Sequence, residues 1–425
     1  MDNLKIFLYF CAMLINEATW EFVRQHRQDD VRRLALQGAK AGGVDLPVAL
    51  QQIAGWQVAL KKLPTWAGVE GIVYPPHLNM EQCSSEQAAR YKAGIAGSGQ
   101  LMADLTGGFG IDFYWMSRGF SQRIYVERDE ALCRLASHNF GLLGLDCSVC
   151  CCTTATYLAG MPHADLVFLD PARRDEHGGR TYGIADCTPN VLELLPLLGQ
   201  KTDRLLLKLS PMLDWRKAVS DLNQASPNGA LSVTDVHIVS VDNECKELLL
   251  LLDKEPTDAL HVHCVNDDQD VVFIPTEGIL GSHGGNSGFP LGESYTGCDH
   301  APLYLYEPNA SVMKSGCFAE LATRYGVRQL APNSHLFLSA SPIVGFPGRS
   351  FQILSISSAN WKKFSESLAS AGFSLERANI SVRNFPLTAD QLRKKLKVKD
   401  GGEAYIFATT LADGTHRLFI CRKIG

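Results

Sequence analysis

The chain has no excess of positive charge: 40 Lys and Arg stand against 45 Asp and Glu, a formal net charge of −5. That balance excludes a protein whose whole surface coats nucleic acid, and it leaves local basic patches open. It also lacks a bilayer-length apolar run at its start, since Ile6–Leu14 is too short to span a membrane. Lys5 gives that stretch the look of a signal h-region, but no A-x-A pattern follows, and Trp20-Glu21-Phe22-Val23-Arg24 reads as an amphipathic helix. Met13 is a second candidate start. A cytoplasmic protein without a membrane partner is expected. The 13 cysteines are odd in number and form no regular framework, which argues against a disulfide scaffold. Cys150-Cys151-Cys152 reads instead as buried, reduced thiols on a strand. Cys147-x-x-Cys150 has no second ligand pair, and His261-x-His263 beside Cys264 offers too few ligands for zinc, so no metal is expected. Neither internal repeats nor a low-complexity tract is present.

What is there divides into several domains, because 425 residues are too many for one core. Residues from about 15 to 100 read as helical. Pro47 suits the first turn of a helix carrying Leu50, Ile53, Ala54 and Val58, and Ser84-Ser85-Glu86-Gln87 opens another. From Leu101 strands and helices alternate, the mark of a parallel α/β sheet. The candidate strands are Leu101–Leu105, Arg123–Val126, Cys147–Cys151, Asp165–Leu169 and Arg204–Leu209. Leu231–Val239 and Lys246–Leu252 follow as a closing hairpin, and His261–Ile274 reads as further strand. Gly278–Gly297 is a Gly/Ser-rich linker, and an α+β pattern runs from about Tyr304 to the end. The expected division is 1–98 as a helical region, 99–255 as the sheet domain, 256–345 as a linker with a small α+β domain, and 346–425 as a terminal domain.

The segment Leu101–Asp112, LMADLTGGFGID, carries the first chemistry. An apolar strand ends in Asp104, and a turn with Gly107, Gly108 and Gly110 opens a helix, the geometry that lets a nucleotide-like ligand approach bare backbone. Glu127 ends the next strand, where an acid can take both hydroxyls of a ribose. A dinucleotide fingerprint does not fit, because Phe113 falls where close helix–strand packing needs a small residue. An acid before the loop is also the wrong charge beside a pyrophosphate and the right one beside a sulfonium and an amino group. Asp104 therefore points to S-adenosylmethionine.

With Asp170-Pro171-Ala172-Arg173 added, these residues look like motifs I, II and IV of class I S-adenosylmethionine-dependent methyltransferases. Four further segments are similar to bacterial RNA methyltransferases that end in a THUMP-like domain. They are Asp30-Val31-Arg32-Arg33-Leu34-Ala35-Leu36-Gln37, Glu81-Gln82-Cys83-Ser84-Ser85-Glu86, Lys208-Leu209-Ser210-Pro211-Met212-Leu213-Asp214 and Arg383-Asn384-Phe385-Pro386-Leu387. The resemblance implies a Rossmann-like, seven-stranded α/β sheet with an N-terminal helical region and a C-terminal α+β THUMP-like domain. Two positions depart from the pattern. Thr106 stands where motif I usually has glycine, and Cys152-Thr153-Thr154 stand where an acid often meets the adenine, leaving that contact to a threonine hydroxyl, Thr153 being the candidate, or to a backbone carbonyl.

Methyl transfer is an in-line displacement in which positioning and electrostatics can supply much of the rate. For an exocyclic amine, Asp170 and the Pro171 carbonyl can accept the two amine hydrogens, and Arg173 can stack on the base where an aromatic is usual. The segment also resembles the D-P-P-R of RNA uracil-C5 methyltransferases, which use a cysteine nucleophile. Cys187 is the candidate, its other reading being a small buried residue before a helix capped by Thr188. Arg173, Arg174 and Arg180 are read either as substrate contacts or as a solvated cluster. From Arg377 to Lys399 seven basic residues face one acid, Asp390, around a helix with a Thr388/Gln391 capping box and Gly401 placed to end it. Arg383, Arg393, Lys394, Lys395 and Lys397 form either a solvated face or a surface for RNA phosphates (tRNA or rRNA). A protein, DNA or small-molecule acceptor, and a binding protein without catalysis, are the competing readings.

Overall fold

The computed structural model describes residues 15–37, 42–173, 183–255, 257–275, 303–331, 333–373 and 376–424. The chain forms two compact units, Met1–Val236 with Glu247–Asp258, and His237–Lys246 with Ala259–Gly425.

The first unit begins with helices α1 (Glu17–His26), α2 (Val31–Gln37), α3 (Leu46–Lys62), α4 (Pro64–Ala67), α5 (His77–Gln82) and α6 (Glu86–Ala96). Side chains set their starts: Asp45 caps α3 ahead of Pro47, and Ser85 Oγ accepts from Ala88 N at the head of α6. Alternating strands and helices follow: β1 (Gly99–Asp104), α7 (Ile111–Met116), β2 (Phe120–Glu127), α8 (Glu130–Leu142), β3 (Ser148–Cys151), α9 (Thr154–Gly160), β4 (Ala164–Leu169), α10 (Val191–Lys201), β5 (Thr202–Leu209) and α11 (Trp215–Ala225). The hairpin strands are β6 (Ser232–Val241) and β7 (Glu244–Asp253); β8 (His261–Asn266) and β9 (Gln269–Phe273), which follow in the chain, fall within the second unit's residues. β1 pairs in parallel with β2 and β4, β2 with β3 and β4 with β5, whereas β7 runs antiparallel to β5. Leu166–Leu169 and Leu205–Leu207 are essentially inaccessible, as strands covered on both faces must be.

The expected seven strands are therefore a sheet of nine, in the order β9-β8-β6-β7-β5-β4-β1-β2-β3. Seven of them form the predicted set. The extra two arise because His261–Ile274, read as one stretch of strand, turns at Asp267 (φ 53°) into a hairpin. The cysteine run also needs correction. Cys150 and Cys152 are half-buried and Cys151 is exposed, because β3 is the edge strand; all three are free thiols.

The second unit carries β10 (Leu303–Pro308), α12 (Ala310–Ser315), α13 (Phe318–Tyr325), β11 (Arg328–Gln329), β12 (Phe337–Ser339), β13 (Gly348–Ser357), α14 (Trp361–Ser370), β14 (Asn379–Arg383), α15 (Ala389–Lys395), β15 (Ala404–Thr410) and β16 (His416–Ile424). Its sheet runs β11-β12-β10-β13-β16-β15-β14. Period-two alternation builds a core on each face: Ile406, Ala408, Leu418 and Ile420 face α14 and α15, while Phe407, Phe419 and Phe351 pack on the other side. The Thr388/Gln391 capping box is present. The helix closes at Leu396 rather than running toward Gly401, because Lys397 turns to positive φ (49°). Gly278–Gly297 and Met13 lie outside the described residues. No helix among the described residues is long and apolar enough to cross a membrane.

Candidate methyltransferase site

The site starts from the turn after β1. Asp104 is 1% exposed, and its Oδ1 accepts from Thr106 N at 2.9 Å. Burial pushes its carboxyl pKa well up, and the neighbouring Asp112, Asp170 and Glu127 add to the rise against the pull of the Thr106 amide. Gly107 has no alternative residue, since a Cβ there would lie 2.1 Å from the Tyr125 ring. The Tyr125 hydroxyl donates to Gly108 O at 2.5 Å and the Gly107 amide to Val126 O at 2.9 Å, so β2 clamps the loop. Gly110, in the left-handed region at φ 87°, sits against Phe140.

Glu127 is held at both oxygens: Oε2 accepts from Gly108 N and Oε1 from Asp129 N, each at 2.9 Å. A carboxylate has about four acceptor sites, so capacity remains for a ligand's hydroxyls. Thr153 is exposed and caps α9 by accepting from Thr156 N at 3.2 Å. Its neighbour Thr154 turns inward and donates to Leu105 O at 2.7 Å, tying the end of β3 to the glycine loop.

Thr106, the departure from the usual glycine, has a structural use. Its hydroxyl accepts from Asp170 N at 2.7 Å and lies 3.4 Å from Asp104 Oδ1, so one side chain joins the ends of β1 and β4. Asp170 has a side chain 38% exposed, and its Oδ2 is ion-paired with Lys208, at the end of β5. Burial raises the Asp170 pKa, and the Lys208 ammonium limits that rise. Among the described residues Asp170 Oδ1 takes no hydrogen bond. Pro171 is buried, and Ala172-Arg173 pairs antiparallel with Cys187-Thr188. That short ribbon buries Cys187 to 2% exposure, and the helix behind it is capped by Asn190 rather than Thr188. The side chain of Arg173 and the whole of Arg174 and Arg180 lie outside the described residues.

Sequence reasoning missed the charges that lie beneath Lys208. Lys208 also sits 3.8 Å from Asp112, which pairs at 3.0 Å with Lys92, a lysine with no exposure at all. Lys92 is paired in turn with Glu247 and donates to Ser84 Oγ at 2.9 Å. Ser84 Oγ lies 2.8 Å from Asp112 Oδ2 and 2.7 Å from Glu247 Oε1. Burial alone would raise the Asp112 pKa, but Lys92 and Lys208 outweigh it and hold the carboxyl below its usual value. Burial works against the Lys208 charge, yet Asp170, Asp112 and Glu247 keep it protonated. The signal was present: Lys92 shares the buried stripe of α6 with Ala88, Ala89 and Ala96, and Glu247 opens the apolar run Leu248–Leu252. A charge at a core position asks for a partner.

In the second unit Lys394, Lys395 and Lys397 are exposed. The two arginines are committed elsewhere. Arg393 pairs with Asp390 at 2.6 Å and Asp400 at 2.7 Å, and Arg383 pairs with buried Glu307 at 2.9 Å. Lys397 Nζ lies 5.7 Å from the Trp361 ring centroid, beside exposed Lys362 and Lys363.

Residues 304–347 match a ferredoxin-like domain family and residues 348–423 a THUMP domain-like family. No curated protein sequence matches the chain. Among solved structures, the chain is similar to a "putative methyltransferase from Porphyromonas gingivalis W83" at 32% identity and a TM-score of 0.80, over 97% of this chain and 100% of that one. Two others overlap it partly. A "putative class I S-adenosylmethionine-dependent methyltransferase" of Listeria monocytogenes has 11% identity and TM-score 0.37, over 60% of this chain and 94% of that one. A "putative RNA methyltransferase" of Pyrococcus horikoshii has 14% identity and TM-score 0.33, over 46% and 96%. With the Porphyromonas protein matched over its whole length at 32% identity and a THUMP-like domain at its C-terminus, the chain belongs to the methyltransferase family of that protein.

Proposed function

We propose that this enzyme methylates an exocyclic amine of a base in RNA, with the C-terminal domain holding the RNA. The observation that carries the reading is the Thr106 bridge, which ties together the ends of the paired strands β1 and β4, where the buried carboxylate of Asp104 and the half-open carboxylate of Asp170 stand. The loop fits the donor. Asp104 Oδ2 takes no hydrogen bond among the described residues, and a buried carboxylate with a raised pKa is stabilised by a cation. A Cβ at Gly108 (φ 56°) would meet only Thr106 O, at 3.9 Å, so the loop offers open backbone on that side.

Asp104 would face the amino and sulfonium end, Gly107, Gly108 and Gly110 the middle of the donor, Glu127 the ribose and Thr153 the adenine side. When bound, S-adenosylmethionine supplies the electrophilic methyl group. Asp170 Oδ1 and the Pro171 carbonyl accept the two hydrogens of the amine, which orients its lone pair and favours a tetrahedral nitrogen. Arg173 is assigned the contact with the base. A base within a helix must leave the stack to reach these groups, so loops and bulges suit better as targets. Lys394, Lys395 and Lys397 hold phosphates, with Trp361 as a surface on which a base can stack.

The test is mass spectrometry of nucleosides from RNA of cells with and without the protein. One methylated nucleoside should disappear and be restored by purified enzyme acting on the deficient RNA. Persistence of every RNA modification would overturn the reading.

A further inference from the structure

The buried charges beneath Asp170 are more than fold stability requires. Charged groups are costly to remove from water, and an ion pair in the interior often contributes little net stability over an apolar pair of similar volume. Here two lysines, Lys92 and Lys208, and three carboxylates, Asp112, Asp170 and Glu247, form one connected group with Ser84, and only Asp170 is appreciably exposed. The exposed member is the one at the acceptor position.

We propose that Lys208 is a positioning residue for methyl transfer, fixing the Asp170 carboxylate through Oδ2 and leaving Oδ1 for the methyl acceptor, with Ser84, Lys92, Asp112 and Glu247 holding Lys208 in place. The inference rests on the reading of Asp170 as the group that accepts from the substrate amine. A carboxylate that must only accept has to stay ionised. The charged groups around Asp170 are Lys208 from β5, Lys92 from α6, Asp112 from α7 and Asp104 from β1, and Glu247 from β7 faces Lys208. Lys208 is the only one of these in direct contact with Asp170, and it offsets the repulsion from Asp104 and Asp112. Without it, Asp170 would take up a proton at higher pH and donate where it should accept. Helix α6, outside the sheet, thereby becomes part of the catalytic unit through Lys92, and Ser84 just before it has the same standing.

The experiment uses the full chain with carboxyl-labelled aspartate, the Asp170 resonance being identified from its loss in Asp170→Asn. In Lys208→Met the Asp170 titration midpoint should rise by one pH unit or more, while Lys208→Arg leaves it within half a unit of the wild type. With RNA from deficient cells, kcat of Lys208→Met should fall tenfold or more and its acid limb should move up by the same interval. The donor Kd should stay within twofold. Lys92→Met should shift the midpoint in the same direction by less. If Lys208→Met does not fold, Lys208→Met/Asp112→Asn keeps the charge balance and serves in its place. An unmoved midpoint would overturn the inference. Should the wild type transfer no methyl to RNA, the RNA reading fails by itself, and the titration still decides the role of Lys208.

Discussion

Two carboxylates in this molecule are paired with cations, one buried and one half-exposed, and they are built for opposite ends. Glu307, in the second unit, is 4% exposed: Arg349 reaches Oε2, with Nε at 2.8 Å, while Arg383 Nη2 at 2.9 Å and Ser381 Oγ at 3.2 Å take Oε1. Both its oxygens are occupied, and the three partners come from β13 and β14, so the cluster pins strands together. Asp170, in the first unit, has among the described residues a single side-chain partner, Lys208, on one oxygen, and the other takes no hydrogen bond from them. Both pairings look alike as ion pairs. What separates a staple from a site is the unused acceptor, and it marks which carboxylate can meet a substrate.

Substitution at each carboxylate should split along that line. Asp170→Asn is expected to lower kcat about 100-fold or more, the size seen when one aligned polar group is lost from a transition state. Donor affinity, measured by calorimetric titration, should change little, because Asp104 and Glu127 are untouched. Full activity in Asp170→Asn would remove the distinction. Glu307→Gln should act on stability instead, costing about 2–3 kcal/mol, less than for a fully enclosed pair because both guanidiniums are partly exposed. Chemical denaturation of the whole chain would register the loss, with the donor Kd of the folded protein unchanged. Weaker donor binding in that variant would mean that Glu307 is more than a staple.

How much of this was legible in the sequence follows from the range of the interactions. The glycine loop, the strands through β7 and the capping box at Thr388 rest on neighbours a few residues apart, and pattern reading finds such features. Arg383 could not be read that way. As sequence it is one charge in a basic run, and only the folded sheet brings Glu307, 76 residues away, against it. The same holds for Lys92 with Glu247, 155 residues apart. Thr106 was legible as a departure from the family pattern, but its use was not, because Asp170 N lies 64 residues away.

The lysine surface sharpens the contrast from the side of the substrate. Replacing Lys394, Lys395 and Lys397 together by Glu should weaken RNA binding about tenfold at moderate salt. Each phosphate that is no longer neutralised should flatten the salt dependence by roughly one unit of slope. Arg393→Gln should change RNA affinity much less, since its guanidinium is already held by Asp390 and Asp400. Filter binding across a salt series measures both. An equal effect from the two variants would show that the ion pairs open for RNA.

The smallest expected effect concerns Asp104, a buried carboxylate of the first unit that, unlike Glu307, is paired with no cation among the described residues. Its folded-state pKa is raised by burial, so the folded protein binds this proton more tightly than the unfolded chain does. The stability contribution of the group is therefore fully present below the unfolded carboxyl pKa and is lost as pH rises through the raised folded value. Asp104→Asn removes that loss, and at neutral pH it should stabilise the unit by about 1 kcal/mol, roughly 2–4 °C in Tm. The same variant should lose donor binding. In the wild type, binding a cationic donor should release a proton, so affinity should climb with pH until the unbound carboxyl is ionised, and calorimetry in buffers of differing ionisation enthalpy will register the release. A Tm that falls in Asp104→Asn, or binding without proton release, would mean that Asp104 is satisfied in the protein alone and belongs with the staples.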